Sequence, residues 1–175
     1  MKKIAFLRVV VALFVLVQAA YFVISWFVPE GVVLGGVRMV MSPKWLSPAD
    51  VAALSPGRLA LGVLVSAPVF VLVAYAGWRL DALLRALARG VLFAAATIGH
   101  LRAFAGAALA AMVWSVLDTL LRGLAWRHVL GDESKLNIGV SSEELLAMLV
   151  CALFFVIAGL MHEGRRLAEE NEGFV

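Results

Sequence analysis

Charge is scarce in this sequence: Asp, Glu, Lys and Arg make up 15% of its 175 residues, against about 25% in an ordinary soluble domain. Hydrophobic residues make up 63%, and a water-soluble fold of this length has too little interior to hide them. Cysteine occurs once, as Cys151 within an apolar stretch, which excludes an internal disulfide and a multi-thiolate metal site. A cysteine in such surroundings reads as a small packing or lipid-facing residue. Catalytic signatures are missing too. There is no glycine loop ending in Lys-Ser/Thr, no His-Glu-x-x-His and no Gly-x-Ser-x-Gly, so phosphate cradles, zinc-protease helices and nucleophile elbows have no counterpart here. The chain therefore reads as no enzyme, and no cofactor or resident metal is expected.

What the sequence does contain is long apolar runs. A helix needs about 20 apolar residues to cross the hydrocarbon core, where unpaired backbone groups find no water. Four segments meet or approach this: residues 9–28, 59–78, 103–121 and 145–161. The reading is an all-α integral membrane protein, a single transmembrane domain over residues 1–175. Trp26 suits the headgroup boundary at the end of the first run, and Pro29 stops it. Pro68 predicts a bend near Ser66 in the second. In the third, Gly106, Ala107, Ala110 and Ala111 offer a small face for close helix packing. Ahead of the fourth, Ser141 and Glu144 have capping-box spacing. A cleaved signal peptide is the alternative reading of the first run, with Lys2 and Lys3 in front and Val17-Gln18-Ala19 as a cleavage site. Arg8 interrupts that pattern and the apolar run continues past the site, so a span is preferred.

The net charge of +3 points to topology rather than nucleic acid, because the basic residues sit at the ends of apolar runs and form no single patch. Cytoplasmic segments are enriched in Lys and Arg. With both termini inside, the inner segments hold nine: Lys2, Lys3, Arg8, Arg79, Arg85, Arg89, Arg102, Arg165 and Arg166. The outer segments hold six: Arg38, Lys44, Arg58, Arg122, Arg127 and Lys135. The expected location is a bacterial inner membrane.

Three connections join the spans. The first outer one, residues 29–57, carries four prolines; Ser47-Pro48-Ala49-Asp50 reads as the start of a short helix, and residues 32–41 are expected to lie on the bilayer or over the bundle. In the inner one, Leu80, Leu83, Leu84, Leu87 and Val91 recur at helical spacing while Asp81, Arg85 and Arg89 fall on another face. This predicts an amphipathic cytoplasmic helix between the second and third spans. The second outer connection, residues 126–140, offers no motif.

Gly90-Val91-Leu92-Phe93, Leu101-Arg102 and Gly106, with the tail Glu163-Gly164-Arg165-Arg166-Leu167-Ala168-Glu169-Glu170, resemble the bacterial family called domain of unknown function 2975. The resemblance spans nearly the whole chain. It implies a small four-helix inner-membrane protein, often encoded beside a helix-turn-helix transcription regulator, and brings no catalytic residue to carry over.

A few polar groups remain to be explained. Charge within a bilayer is costly, so Asp118 reads either as a proton or cation site or as an ion pair with Arg122 one turn on. It lies about 22 Å along its span at 1.5 Å per residue, near the outer end, and the ion pair is preferred. Gln18, mid-span, reads as an interhelical hydrogen-bonding residue before a transport group. Ser66 and Ser115 read as packing residues. His100 and His162 flank the third and fourth spans at one depth, with Glu163 beside them; matched imidazoles suit haem or a divalent metal, though hydrogen bonding is the commoner role. Arg85, Arg89, Arg165 and Arg166, with Glu169 and Glu170, form a candidate face for a cytoplasmic regulator protein. These features favour noncatalytic sensing or signalling. A small transporter or ion-conducting homo-oligomer using Gln18 and Asp118 is the second reading, and a haem- or metal-binding redox protein the third. Expected partners are the lipid bilayer, a cytoplasmic regulator and further copies of the chain, with no direct nucleic acid.

Overall fold

Helix α1 runs over Lys2–Phe27 without an internal charge after Arg8. It is followed by strands β1, Val32–Leu34, and β2, Val37–Met39, and by the short helix α2, Pro48–Ala52. Three long helices complete the chain: α3, Pro56–Ala88; α4, Ala95–Leu130; and α5, Ser142–Glu172. The structure, a computed structural model, describes residues 2–90, 94–130 and 140–172, with no side-chain description of residues 2, 129, 130, 165 and 167–172. Four of the helices are long and apolar enough to cross a membrane, over Lys3–Phe27, Pro56–Ala88, Ala95–His128 and Ser142–Gly164. Their outward faces are apolar: Leu13, Phe14, Leu64, Val71, Leu149 and Leu153 are all exposed, which is compatible with a lipid-facing surface.

The helices pack in chain order. α1 lies against α3, α3 against α4, and α4 against α5. Small residues set the spacing. A Cβ at Gly77 of α3 would fall 2.5 Å from Val15 of α1, and one at Gly106 of α4 would fall 3.3 Å from the Phe155 ring of α5. Ala105, Ala107 and Ala111 of α4 are buried, which is the close approach their size permits. At the end where the termini lie, Asp81 of α3 clamps α1: Arg8 Nε donates to its Oδ1 at 2.6 Å, and Arg85 pairs with its Oδ2 at 2.9 Å.

Three features differ from the sequence reading. The third span is the middle of a helix that starts at Ala95 and runs to Leu130, so residues 126–130 belong to α4; residues 131–139 of the expected loop lie outside the described residues. Residues 80–88 continue α3 with no break after the span, because nothing before Gly90 stops a helix there; Gly90, at φ +77°, supplies the left-handed ending. Val91, the last of the apolar series, lies outside the described residues. Finally, residues 32–39 form an antiparallel hairpin pairing Val32 with Met39, Val33 with Arg38 and Leu34 with Val37. Gly35 and Gly36, at φ +58° and +81°, supply the positive φ angles that the two-residue turn needs and that residues with a Cβ adopt only at a cost.

Both capping expectations hold. Ser47 and Asp50 close a reciprocal box at the start of α2, with the Asp50 amide donating to Ser47 Oγ at 3.1 Å and the Ser47 amide to Asp50 Oδ2 at 2.8 Å. Those bonds from Ser47 hold the Asp50 carboxyl below its ordinary value. Ser141 and Glu144 do the same for α5, at 2.9 and 3.2 Å.

Candidate functional site

Asp118 and Arg122 stand one turn apart on α4, which brings their side chains together: Arg122 Nη1 donates to Asp118 Oδ2 at 3.1 Å. Both are buried, at 3% side-chain exposure for Arg122 and 9% for Asp118. A buried ion pair is stable only when its remaining donors and lone pairs are also satisfied. Here they come from two other parts of the chain. Ser66 of α3 donates from Oγ to Asp118 Oδ1 at 2.6 Å, and Arg122 Nη2 donates to the carbonyl of Lys44 at 2.8 Å. The guanidinium also lies over two indole rings, 5.6 Å from the centre of Trp26 and 5.9 Å from that of Trp126, where the ring faces attract a desolvated cation.

The surrounding contacts fix these groups in place. Pro68 removes a backbone donor from α3, leaving the Leu64 carbonyl without its helical partner. In that same turn the Val65 carbonyl accepts from Trp114 Nε1 at 3.0 Å, which joins α3 to α4 beside Ser66. Trp126 Nε1 donates to the Arg58 carbonyl at 2.9 Å. Gly62 leaves room for Trp26: a Cβ there would lie 2.5 Å from the ring. The segment carrying the Lys44 carbonyl is held on both sides. Tyr21 donates its hydroxyl to the Ser42 carbonyl at 2.9 Å, and Lys44 Nζ pairs with Glu144 of α5 at 2.5 Å. Trp45, next in line, takes φ +64°, a left-handed conformation that costs a bulky residue energy and persists only where surrounding contacts impose it.

Beneath this segment lies a cavity of about 410 Å³, lined by Gln18, Tyr21, Ser25, Trp26, Pro43, Lys44, Ser66, Ser115, Asp118 and Arg122 among others. Gln18, Val69, Val73 and Ser115 also line a second cavity of about 530 Å³, whose other walls include Val10, Phe14, Phe104, Met112 and Cys151. The two adjoin at these shared residues, with a polar end near Arg122 and an apolar end reaching toward the termini.

Comparison of the chain with family models, curated proteins and solved structures found no match in any of the three.

The expected intramembrane polar group, Gln18, Asp118 and Arg122, is thus gathered around one cavity. The other candidates are dispersed. His100 is half-buried with Nδ1 at 3.4 Å from Arg79 Nη1, and Arg79 itself stacks on Tyr75 and Trp78. His162 and Glu163 are exposed, and Glu163 pairs with Arg166 on its own helix at 3.2 Å. Among the described residues no hydrogen bond joins the two histidines, and no group of three His, Cys, Asp or Glu gathers as a metal site. Arg85 is engaged by Asp81 and Arg89 is exposed at the C-cap of α3. The side chains of Arg165, Glu169 and Glu170 lie outside the described residues.

Sequence reasoning missed the partners that complete the pair. Ser66 is a ligand of Asp118 and not a mere packing residue, and Lys44, Trp26 and Trp126 were not connected to it. The one available signal was a hydroxyl two residues before Pro68 in an otherwise apolar run. The pairing itself spans 52 residues for Ser66 and 78 for Lys44, beyond the reach of any local pattern.

Proposed function

We propose that this chain is a noncatalytic integral membrane protein of a bacterial inner membrane, which senses at its hairpin end and transmits to a regulator protein at the end carrying the termini. In this reading the hairpin end faces outward and both termini are cytoplasmic, as the lysine and arginine distribution favours. The resemblance to domain of unknown function 2975 points the same way.

The observation that carries the reading is the bond from Arg122 to the Lys44 carbonyl. It makes the position of a connecting segment a condition for satisfying a buried charge. Displacing residues 42–45 strips a hydrogen bond from a desolvated guanidinium, and the response falls on α4, which also holds Asp118. α4 has 36 residues, a rod of about 54 Å at 1.5 Å per residue, long enough to carry a tilt or rotation from one membrane face to the other. The far end presents Arg79, His100, Arg85 and Arg89, and the sequence of the α5 tail adds Arg165, Arg166, Glu169 and Glu170 as candidate charged groups for the regulator.

Purification from native membranes in mild detergent, with co-purifying proteins identified, tests this. A partner whose recovery falls at least fivefold on deleting residues 167–175, and changes when Arg122 is replaced by Met together with Asp118 by Leu, supports the reading. Unchanged co-purifying proteins in both variants would overturn it.

A second reading, a small transporter or ion-conducting homo-oligomer, is favoured by one observation: Gln18 and Asp118 line the same cavity. Wild-type uptake by Asp118→Asn in proteoliposomes would refute it. The haem or metal reading is carried by His100 and His162 alone and is removed by an absorption spectrum without a Soret band and a blank metal analysis.

A further inference from the structure

Two polar side chains in the middle of the bundle have no partner. Gln18 of α1 and Ser115 of α4 line both cavities, and among the described residues neither makes a hydrogen bond. Both are half-buried, and an unbonded amide in an apolar setting is unfavourable. Most of the other polar groups around the cavity are already engaged: Ser66 with Asp118, Ser25 with the Phe22 carbonyl, Tyr21 with the Ser42 carbonyl. Of the polar groups that line these cavities, Gln18 and Ser115 thus keep hydrogen-bonding capacity to spare, where the polar cavity meets the apolar one.

Charge at the polar end is balanced. Arg122 is matched by Asp118 and Lys44 by Glu144, so an anionic head would have to compete with two carboxylates and a cationic head with a guanidinium and an ammonium. The apolar end is long. Along α1, Val10 to Gln18 rises about 12 Å and Gln18 to Trp26 another 12 Å or so at 1.5 Å per residue, so the two cavities together follow most of a hydrocarbon core about 30 Å thick.

We propose that these two adjoining cavities together form a binding site for an uncharged long-chain amphiphile. Its hydroxyl or carbonyl head bonds Gln18 and Ser115 and occupies the space beneath Pro43, and its chain lies between α1 and α4 against Phe14, Phe104 and Met112. The inference concerns binding alone; it rests on the membrane-spanning reading and is independent of what the protein signals to.

The probe is a monoacylglycerol carrying a diazirine on its chain and an alkyne for recovery, applied to the full chain in nanodiscs, with labelled residues mapped by mass spectrometry. A fatty-acid probe and a phosphatidylglycerol probe with the same chain serve as comparisons. Labelling is expected on Phe104, Met112 or Cys151, reduced at least fivefold by excess unlabelled monoolein. Gln18→Leu, which removes the amide at similar volume, and Val73→Trp, which fills the waist between the cavities, should each lower it at least fivefold. Labelling confined to outward residues such as Leu16, Leu153 and Phe154 would overturn the site. So would equal or stronger labelling by either anionic probe, or labelling that neither substitution reduces. Flotation of the nanodiscs is scored first: a chain that does not float with lipid refutes the spanning reading and the site with it, whereas a floating chain labelled only outside refutes the site alone.

Discussion

Arg122 donates to the Lys44 carbonyl at 2.8 Å, so a guanidinium buried in a long helix is completed by the backbone of a connecting segment 78 residues earlier. With Asp118 bonded to its Nη1 and the Trp26 and Trp126 rings centred 5.6 and 5.9 Å away, the guanidinium is the point where α4, α1 and the hairpin-end connection meet. Disturbing any of these partners has consequences that can be measured separately.

Removing one member of the buried pair leaves the other charged and unpaired. Asp118→Leu and Arg122→Met should each lower stability by about 3–5 kcal/mol. The double replacement removes both desolvation costs and should be less destabilised than either single change. Chemical unfolding in mixed micelles, read by tryptophan fluorescence, gives the cycle; additive losses would show that the two side chains do not interact.

Gly62 lies under the Trp26 ring, where a Cβ would approach to 2.5 Å. Gly62→Ala should displace a ring that is 2% exposed and so pull it from Arg122, costing about 1–3 kcal/mol as overpacking does. Gly99, whose added Cβ meets nothing within 4 Å, is the control: Gly99→Ala in α4 should be neutral or stabilising by up to about 1 kcal/mol from helix propensity. Thermal unfolding of the two variants side by side decides the matter.

Lys44 and Glu144 touch across 100 residues of sequence at 2.5 Å. A carbodiimide, which joins an amine to a carboxylate with no spacer, should link them in the intact protein, giving a peptide pair by mass spectrometry that disappears in Lys44→Gln and in Glu144→Gln. Absence of that pair, with other lysine–carboxylate pairs coupling normally, would contradict the packing of the hairpin-end segment on α5.

Trp45 holds φ +64°, a region where a Cβ costs about 1–2 kcal/mol and a branched one most. Trp45→Gly should therefore be more stable than Trp45→Val by about 1–2 kcal/mol, although both lose the ring beside Lys44. Equal stabilities would mean that the segment relaxes out of this conformation at no cost, and that the Lys44 carbonyl is not held rigidly toward Arg122.

Much of this protein is written locally. Apolar runs near bilayer length yield four long helices because each residue's hydrogen bonds close within its own helix. The Ser47–Asp50 and Ser141–Glu144 spacings fix two helix starts, and the four-residue spacing of Asp118 and Arg122 makes their pairing a consequence of helix geometry. Gly35-Gly36 between the apolar runs Val32-Val33-Leu34 and Val37 is also a local signal, the familiar one of a hairpin, within a stretch that otherwise reads as a membrane-surface segment. Helix ends were less legible, since the same side chains continue a helix beyond the bilayer as readily as they stop it, and α3 and α4 both outrun their apolar cores.

What the sequence alone could not decide is which faces meet. The helices are apolar nearly all round, so periodicity gives no direction to the interior, and the partners of a buried charge are chosen by packing. Only the tertiary structure puts Ser66 on Asp118, the Lys44 carbonyl on Arg122, and Gln18 and Ser115 on the two sides of one cavity. The sequence determined that these polar groups are few and fall within or at the ends of apolar runs; the close packing allowed by Gly62, Gly77 and Gly106 decided that they gather in one place.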